Sequence, residues 1–293
     1  MSVASKNKRD CCGCNACAEI CPCKCIEMKS DSTGFLYPVV DSTICIECGA
    51  CEKVCPFPTE NSTFKYPLHA YAARMKNASE QSGSSSGGAA FAIGRQVLKN
   101  QGVVYGCAAN GLDIRHVRID DIERLNILRG SKYVQSNVNG LFSQVKSDLK
   151  NGRSVAFIGT PCQISGLRNY LRRDYDNLLT IDLICHGTPS QKMLRDHVKS
   201  ITNGADIDTI SFRAGNSFIF SLKSKGCEIW KADVWSEPWK DMYYRAFMDG
   251  ISYRPSCNIC PFGRPERTSD ITIGDFWGLK DSNLFPSGQN LGK

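Results

Sequence analysis

From Leu68 onward, short apolar runs alternate with segments whose apolar residues recur at helical spacing. Runs at 69–73, 102–106, 154–158 and 178–184 predict strands, and those at 89–99, 141–149, 163–172 and 192–201 predict helices. Strand and helix taking turns in this way predicts an α/β sheet with partly parallel strands. After Asp206 the rhythm changes to strand-like runs at 209–213, 218–223 and 228–234, bounded by Gly and Asn, and then a helix near 239–248. That stretch predicts a mixed or antiparallel extension of the same sheet.

The first sixty residues carry a different pattern. What recurs there is thiols: Cys11, Cys14, Cys17, Cys21 and Pro22 return as Cys45, Cys48, Cys51, Cys55 and Pro56, every offset being 34. Between the copies, Asp31–Gly34 predicts a turn leading into a short strand at 35–38. The segment 56–63, rich in Pro, Ser and Thr, reads as a linker. The fold class is therefore α+β: a small bacterial-ferredoxin-like domain over 1–60, followed over 66–293 by an α/β domain with a mixed sheet.

Each copy reads Cys-x2-Cys-x2-Cys-x3-Cys-Pro, in which three closely spaced thiolates hold one 4Fe-4S cubane and the fourth ligates the cluster of the other run. One cluster is assigned to Cys11, Cys14, Cys17 and Cys55, the other to Cys45, Cys48, Cys51 and Cys21. Zinc sites favour two separated ligand pairs, so zinc is the weaker alternative. Cys12, Cys23 and Cys25 fall outside the register and are read as bystanders.

Composition narrows the setting. The chain has 293 residues, 17 of them Cys, an odd number that cannot all pair in disulfides within one chain. The opening residues contain no apolar core of a secretory signal, and no run approaches a membrane span. The expected compartment is the reducing cytosol, where dense cysteine points to metal or redox chemistry. Residues 1–60 hold six Lys+Arg against eight Asp+Glu, whereas the whole chain carries a formal +7. The basic remainder has scattered charges and no Lys/Arg tract, which favours an anionic cofactor or substrate over nucleic acid.

Four further cysteines sit where ligands gather in α/β sheets. Cys162 lies between a predicted strand and helix, Cys185 at the end of the next strand, and Cys257 and Cys260 form a Cys-x2-Cys pair. They are candidate ligands of a third cubane; buried thiols, a redox pair or zinc are the alternatives. Cys107 and Cys227 have no partner pattern. The run 82–88 enters a helix, where backbone N–H groups favour a phosphate, a flexible linker being the alternative. Residues 130–136 offer amides, the Lys132 ammonium and the Ser131 and Tyr133 hydroxyls. His186 is a candidate proton donor. His69, His116 and His197 lack any constellation, and Trp230, Trp235 and Trp239 are read as core. Arg213, Arg254, Arg264 and Arg267 are read as solvated charges, with an acidic substrate as their alternative role.

Together, the cysteine repeat, Ser84-Ser85-Ser86-Gly87-Gly88, Gly130–Ser136, Gly159-Thr160-Pro161-Cys162-Gln163, Ile184-Cys185-His186-Gly187, the Cys257/Cys260 pair and Ser269–Gly278 resemble the beta subunit family of coenzyme F-420 hydrogenase/dehydrogenase. The resemblance implies a flavoprotein that passes electrons between clusters, FAD and a small-molecule acceptor, deazaflavin or another organic compound. It implies that Cys162, Cys185, Cys257 and Cys260 ligate the flavin-proximal cluster. It also implies FAD contacts at Ser84, Ser85, Ser86, Gly87, Gly88, Ser131, Lys132, Tyr133, Gln135, Ser136 and Thr160. The expected partners are ferredoxin or another one-electron donor, the small-molecule acceptor and a partner subunit. An electron-transfer adaptor serving a partner enzyme is the alternative function. Relatives continue well past the motif at 274–277, so a short or incomplete C-terminus is expected.

Overall fold

Asp31 builds the predicted turn: its backbone oxygen accepts from Gly34 N–H at 3.0 Å and its carboxylate accepts from Phe35 N–H at 3.1 Å. In the computed structural model, which describes residues 3, 6–57, 59–215 and 217–275, this turn joins two antiparallel strands. They are β1 (Ile26–Ser30) and β2 (Leu36–Val40), flanked by short helices α1 (Ala16–Ile20) and α2 (Ala50–Lys53).

The cysteine repeat is also a backbone repeat. Gly13 (φ 70) and Asn15 (φ 66) are left-handed just before α1, and Glu47 (φ 53) and Gly49 (φ 67), 34 residues on, are left-handed just before α2. Left-handed residues reverse the chain sharply, which lets closely spaced thiols face one centre.

Beyond a short helix α3 (Ala78–Ser82), helix α4 (Ala89–Lys99) leads into β3 (Val103–Asn110) and β4 (Asp113–Ile119). There follow α5 (Leu141–Lys150), β5 (Val155–Gly159), α6 (Pro161–Leu171), β6 (Leu178–Leu183) and α7 (Gln191–Thr202). With β10 (Ile271–Ile273) the strands form one sheet in the order β10-β6-β5-β3-β4, parallel except for β4 at its edge.

Strand periodicity divides the core. Val103, Tyr105, Val155 and Phe157 face α5 and α6 on one side, while Val104 and Ala156 pack with Leu98 of α4 on the other. Each such fully buried aliphatic or aromatic side chain contributes about 1.5–3 kcal/mol. The first of these clusters also takes in Cys12, Cys14, Ala16, Val54 and Phe57, so the first sixty residues, the head of the chain, are packed onto α5 and α6 through a common core.

Three expectations change. β7 (Thr209–Ser211), β8 (Ile219–Ser224) and β9 (Cys227–Asp233) form their own antiparallel sheet, covered by α7 and α8 (Met242–Met248), instead of extending the larger one. Residues 69–73 are not a strand: they run irregularly over the surface, with Tyr71 82% exposed, and among the described residues no strand pairs with them. Trp235 and Trp239 are exposed at 59% and 79%, so only Trp230 of the three packs against a core, its Nε1–H donating to Asp241. Among the described residues, no helix is long and apolar enough to cross a membrane.

Candidate functional site

The left-handed loops turn the repeat thiols into two cavities. Cys11, Cys14, Cys17 and Cys55 line the inner one, with Cys12, Gly13 and Met28 beside them. Cys21, Cys45, Cys48 and Cys51 line the outer one, together with Cys23, Cys25, Glu47 and Glu52. In each cavity three thiols come from one copy and the fourth from the other. Cys25 lies closer than its register suggests, with its sulfur 3.3 Å from that of Cys21. Lys6 donates to the Cys55 sulfur at 3.0 Å, bringing a cation to the inner set.

The second cysteine set assembles at the C-terminal ends of parallel strands, where an open α/β sheet places its ligands. Cys162 occupies the first turn of α6 after β5, Cys185 follows β6, and Cys257 and Cys260 come from a short turn at 255–260. Their thiols are mutual neighbours. Burial first and Cys162 next push Cys257 up to about 11, and Cys185 is raised by desolvation and then by Cys162, Cys257 and Cys260. A cationic centre reverses such shifts by drawing thiolates to itself, releasing protons as it binds. Among the described residues, no three His, Cys, Asp or Glu side chains are arranged to hold a single metal ion. Tetrahedral zinc would need sulfurs within about 3.8 Å of one another, whereas a cubane spreads its ligands around a wider body.

Cys12 joins the two regions: its thiol neighbours both Cys14 of the inner set and Cys162 of the second set. Its carbonyl accepts from Gln135 Nε2 at 2.8 Å. Arg254 reaches across the same junction, donating from Nε to Cys11 O at 2.6 Å and from Nη1 to Gln135 Oε1 at 3.1 Å. Glu19 of α1 accepts from the Ser143 amide at 2.9 Å and supplies the N-terminus of α5 with the cap that Gly140 cannot.

The expected flavin contacts divide into two groups. Ser85 Oγ accepts from Ser131 N–H at 2.8 Å, and Ser85 O accepts from Arg213 Nη2 at 3.1 Å, so the 84–88 and 130–136 segments meet. Arg213 also donates to the Tyr133 hydroxyl and to Asp275, while the Tyr133 ring stacks on Phe247 at 4.6 Å. Ser84 Oγ is buried without a hydrogen-bond partner, beside Gly88 at the N-terminus of α4, where no side chain caps the helix. Gly87 is required by packing, because a Cβ there would come within 2.4 Å of Ala73 O; Ser86 lies half-buried in the same loop.

The other group is turned inward. Lys132 donates to the carbonyls of Cys107, Leu128 and Arg129, which occupies all three of its protons. Gln135 is held in the junction with the head. Ser136 donates to His116 Nδ1 and accepts from Gln163, His116 Nε2–H donates to Ile158 O, and Gln163 Oε1 accepts from Thr160 N–H. Thr160 Oγ1 lies 3.3 Å from the Cys162 sulfur.

His186, exposed next to Cys185, bonds through Nδ1 to the Tyr253 hydroxyl and sits edge-on to Phe247. Arg213 and Arg254, read from sequence as solvated, are buried; Arg267 pairs with buried Asp182 at 3.0 Å and Arg264 lies over Phe64. His116 and His197 do have partners, the latter Asp241 at 2.9 Å. Sequence spacing carried no signal for Lys6, Gln135 and Arg254 as neighbours of the inner set, because each arrives from outside the repeat.

Residues 152–289 match the family model for the C-terminal part of the coenzyme F420 hydrogenase/dehydrogenase beta subunit, and residues 10–59 match the 4Fe-4S dicluster domain. No curated protein matches the chain. Among solved structures, a chain of the xenon-derivatised F420-reducing NiFe hydrogenase complex from Methanosarcina barkeri is similar over 66% of this chain and 67% of its own. The two are 17% identical, with a TM-score of 0.45.

Proposed function

From the premise that the chain is an iron–sulfur electron-transfer protein related to the beta subunit of coenzyme F420 hydrogenase/dehydrogenase, we propose that it is an oxidoreductase carrying electrons from 4Fe-4S clusters through FAD to a small-molecule acceptor. In this reading residues 1–60 receive single electrons and residues 66–293 hold the flavin. One observation carries it: Cys162, Cys185, Cys257 and Cys260, drawn from three separate segments, are neighbours at the C-terminal ends of β5 and β6, and Cys12 of the first sixty residues lies beside Cys162.

The donor sets fit the groups proposed for them. Four thiols form the second set, as a third cubane requires. The unpartnered Ser84 hydroxyl and the uncapped amides of α4 suit an anionic phosphate of FAD. When bound, FAD converts single-electron delivery into two-electron transfer. Arg213 ties Ser85, Tyr133 and Asp275 together beside these groups, and His186, reached from Tyr133 through Phe247, is the proton donor. The acceptor is deazaflavin or another organic compound, and the donor is ferredoxin or a similar one-electron carrier.

A second reading, an adaptor subunit serving a partner enzyme, draws on the exposed apolar side chains Leu68, Tyr71 and Trp239. Anaerobic purification should yield about twelve irons and one FAD per chain. Reoxidation of the reduced flavin by a small molecule supports the enzyme; reoxidation only by a partner protein supports the adaptor. A colourless chain without iron refutes both.

A further inference from the structure

Among the described residues Arg254 is the largest fully buried side chain, at 1% exposure. Burying a charge is costly unless another charge answers it. Among the described residues no carboxylate pairs with Arg254. Its donors go instead to Cys11 O, Leu36 O, Gln135 Oε1 and, at 3.6 Å, the Cys11 sulfur, and its Cζ lies 4.3 Å from the centroid of the Tyr37 ring. The glycine of the Cys11–Cys14 loop makes room for it: a Cβ on Gly13 would stand 2.8 Å from Arg254 Nη1. The uncompensated cation is therefore pressed against one ligand of the inner set. Lys6 stands against another, Cys55. The outer cavity is bordered instead by Glu47 and Glu52.

We infer that Arg254, seconded by Lys6, holds the reduction potential of the inner centre above that of the outer one, so that electrons arriving at the outer face of the head are drawn inward to the second cysteine set. This rests on the reading that the repeat thiols hold two 4Fe-4S centres. Cluster potentials follow net charge, hydrogen bonds to sulfur and exposure to water. Burial by itself lowers the inner potential, since added negative charge is harder to hold away from solvent. Two adjacent cations act in the opposite sense, and at a few ångströms in a poorly screened interior their effect is the larger. Each transfer oxidises the outer centre by one electron and reduces the inner by one. No bond is made or broken.

The test is an anaerobic redox titration of the full-length, iron-loaded chain followed by electron paramagnetic resonance, with the inner signal assigned by its change in Cys11→Ser. The inner midpoint should lie above the outer, and Arg254→Gln should lower the inner midpoint while leaving the outer one in place. Gln135→Glu, which sets a carboxylate against Arg254 Nη1 and keeps the guanidinium, should lower it too. An inner midpoint below the outer in the unaltered chain, or an unchanged inner midpoint in iron-replete Arg254→Gln, overturns the inference and leaves the cluster assignment standing. If Arg254→Gln fails to retain iron, Gln135→Glu decides: a lowered inner midpoint upholds the inference and an unchanged one overturns it. Absence of iron from the unaltered chain defeats the cluster assignment itself, and this inference with it.

Discussion

Gly166, in the middle of α6, lies directly beneath Cys14: a Cβ built on the glycine would come within 2.8 Å of the Cys14 sulfur. Cys162, four residues earlier, is on the same face of the helix. One helix thus carries a thiol of the second set and makes room for a thiol of the inner set.

Gly166→Ala should therefore hurt, although alanine is the better helix former by about 1 kcal/mol. Overpacking against a sulfur held by a cluster costs about 1–3 kcal/mol. Lower iron content per chain and a lower anaerobic melting temperature are expected. An unchanged or raised melting temperature with full iron would show that Cys14 does not rest on the glycine.

Cys162→Ser should cut iron from about twelve to about eight per chain, while Cys45→Ser leaves the Cys162 set intact. Iron and sulfide analysis checks this directly. A Cys162→Ser chain that keeps all its iron would remove Cys162 from the ligand set.

His116 is buried, and desolvation pulls its pKa down to about 4 from an ordinary value near 6.5. Between those values the unfolded chain binds a proton that the folded chain refuses. Stability is therefore full above about pH 6.5, falls as the pH drops toward 4 by about 3 kcal/mol in all, and levels off below. Urea denaturation at pH 7 and pH 5 measures the slope, and His116→Gln should flatten it.

Lys132→Met should destabilise the fold by about 3 kcal/mol, since it strands three half-buried carbonyls. Comparing melting temperature with flavin content separates this bracing from a direct cofactor contact. Loss of flavin without loss of stability would return Lys132 to the pocket.

The repeat and the α/β core were legible because both are periodic. The 34-residue offset groups the thiols as the two cavities do, crossed fourth thiol included, and α4, with its clear apolar stripe, begins and ends where the pattern does. β4 and β10 were missed: the first mixes Arg and His into its alternation, and the second is only three residues long. The junction was illegible for another reason. Arg254 and Cys11 are 243 positions apart, and nothing local marks an arginine whose partners are two backbone carbonyls, a side-chain amide and a sulfur. The carbonyl partners of Lys132 were illegible too, since an ammonium in a Gly/Ser-rich loop gives no local sign of which backbone groups it braces.

Phe142, Phe157, Ile164 and Leu167 share one apolar interior with Val54 and Phe57 of the head. Melting should consequently be a single cooperative event in which neither portion survives the other. Cutting away the first sixty residues would bare an oily face that aggregates, so the distance from the repeat thiols to Cys162 is fixed as the polypeptide folds and not by a later docking encounter.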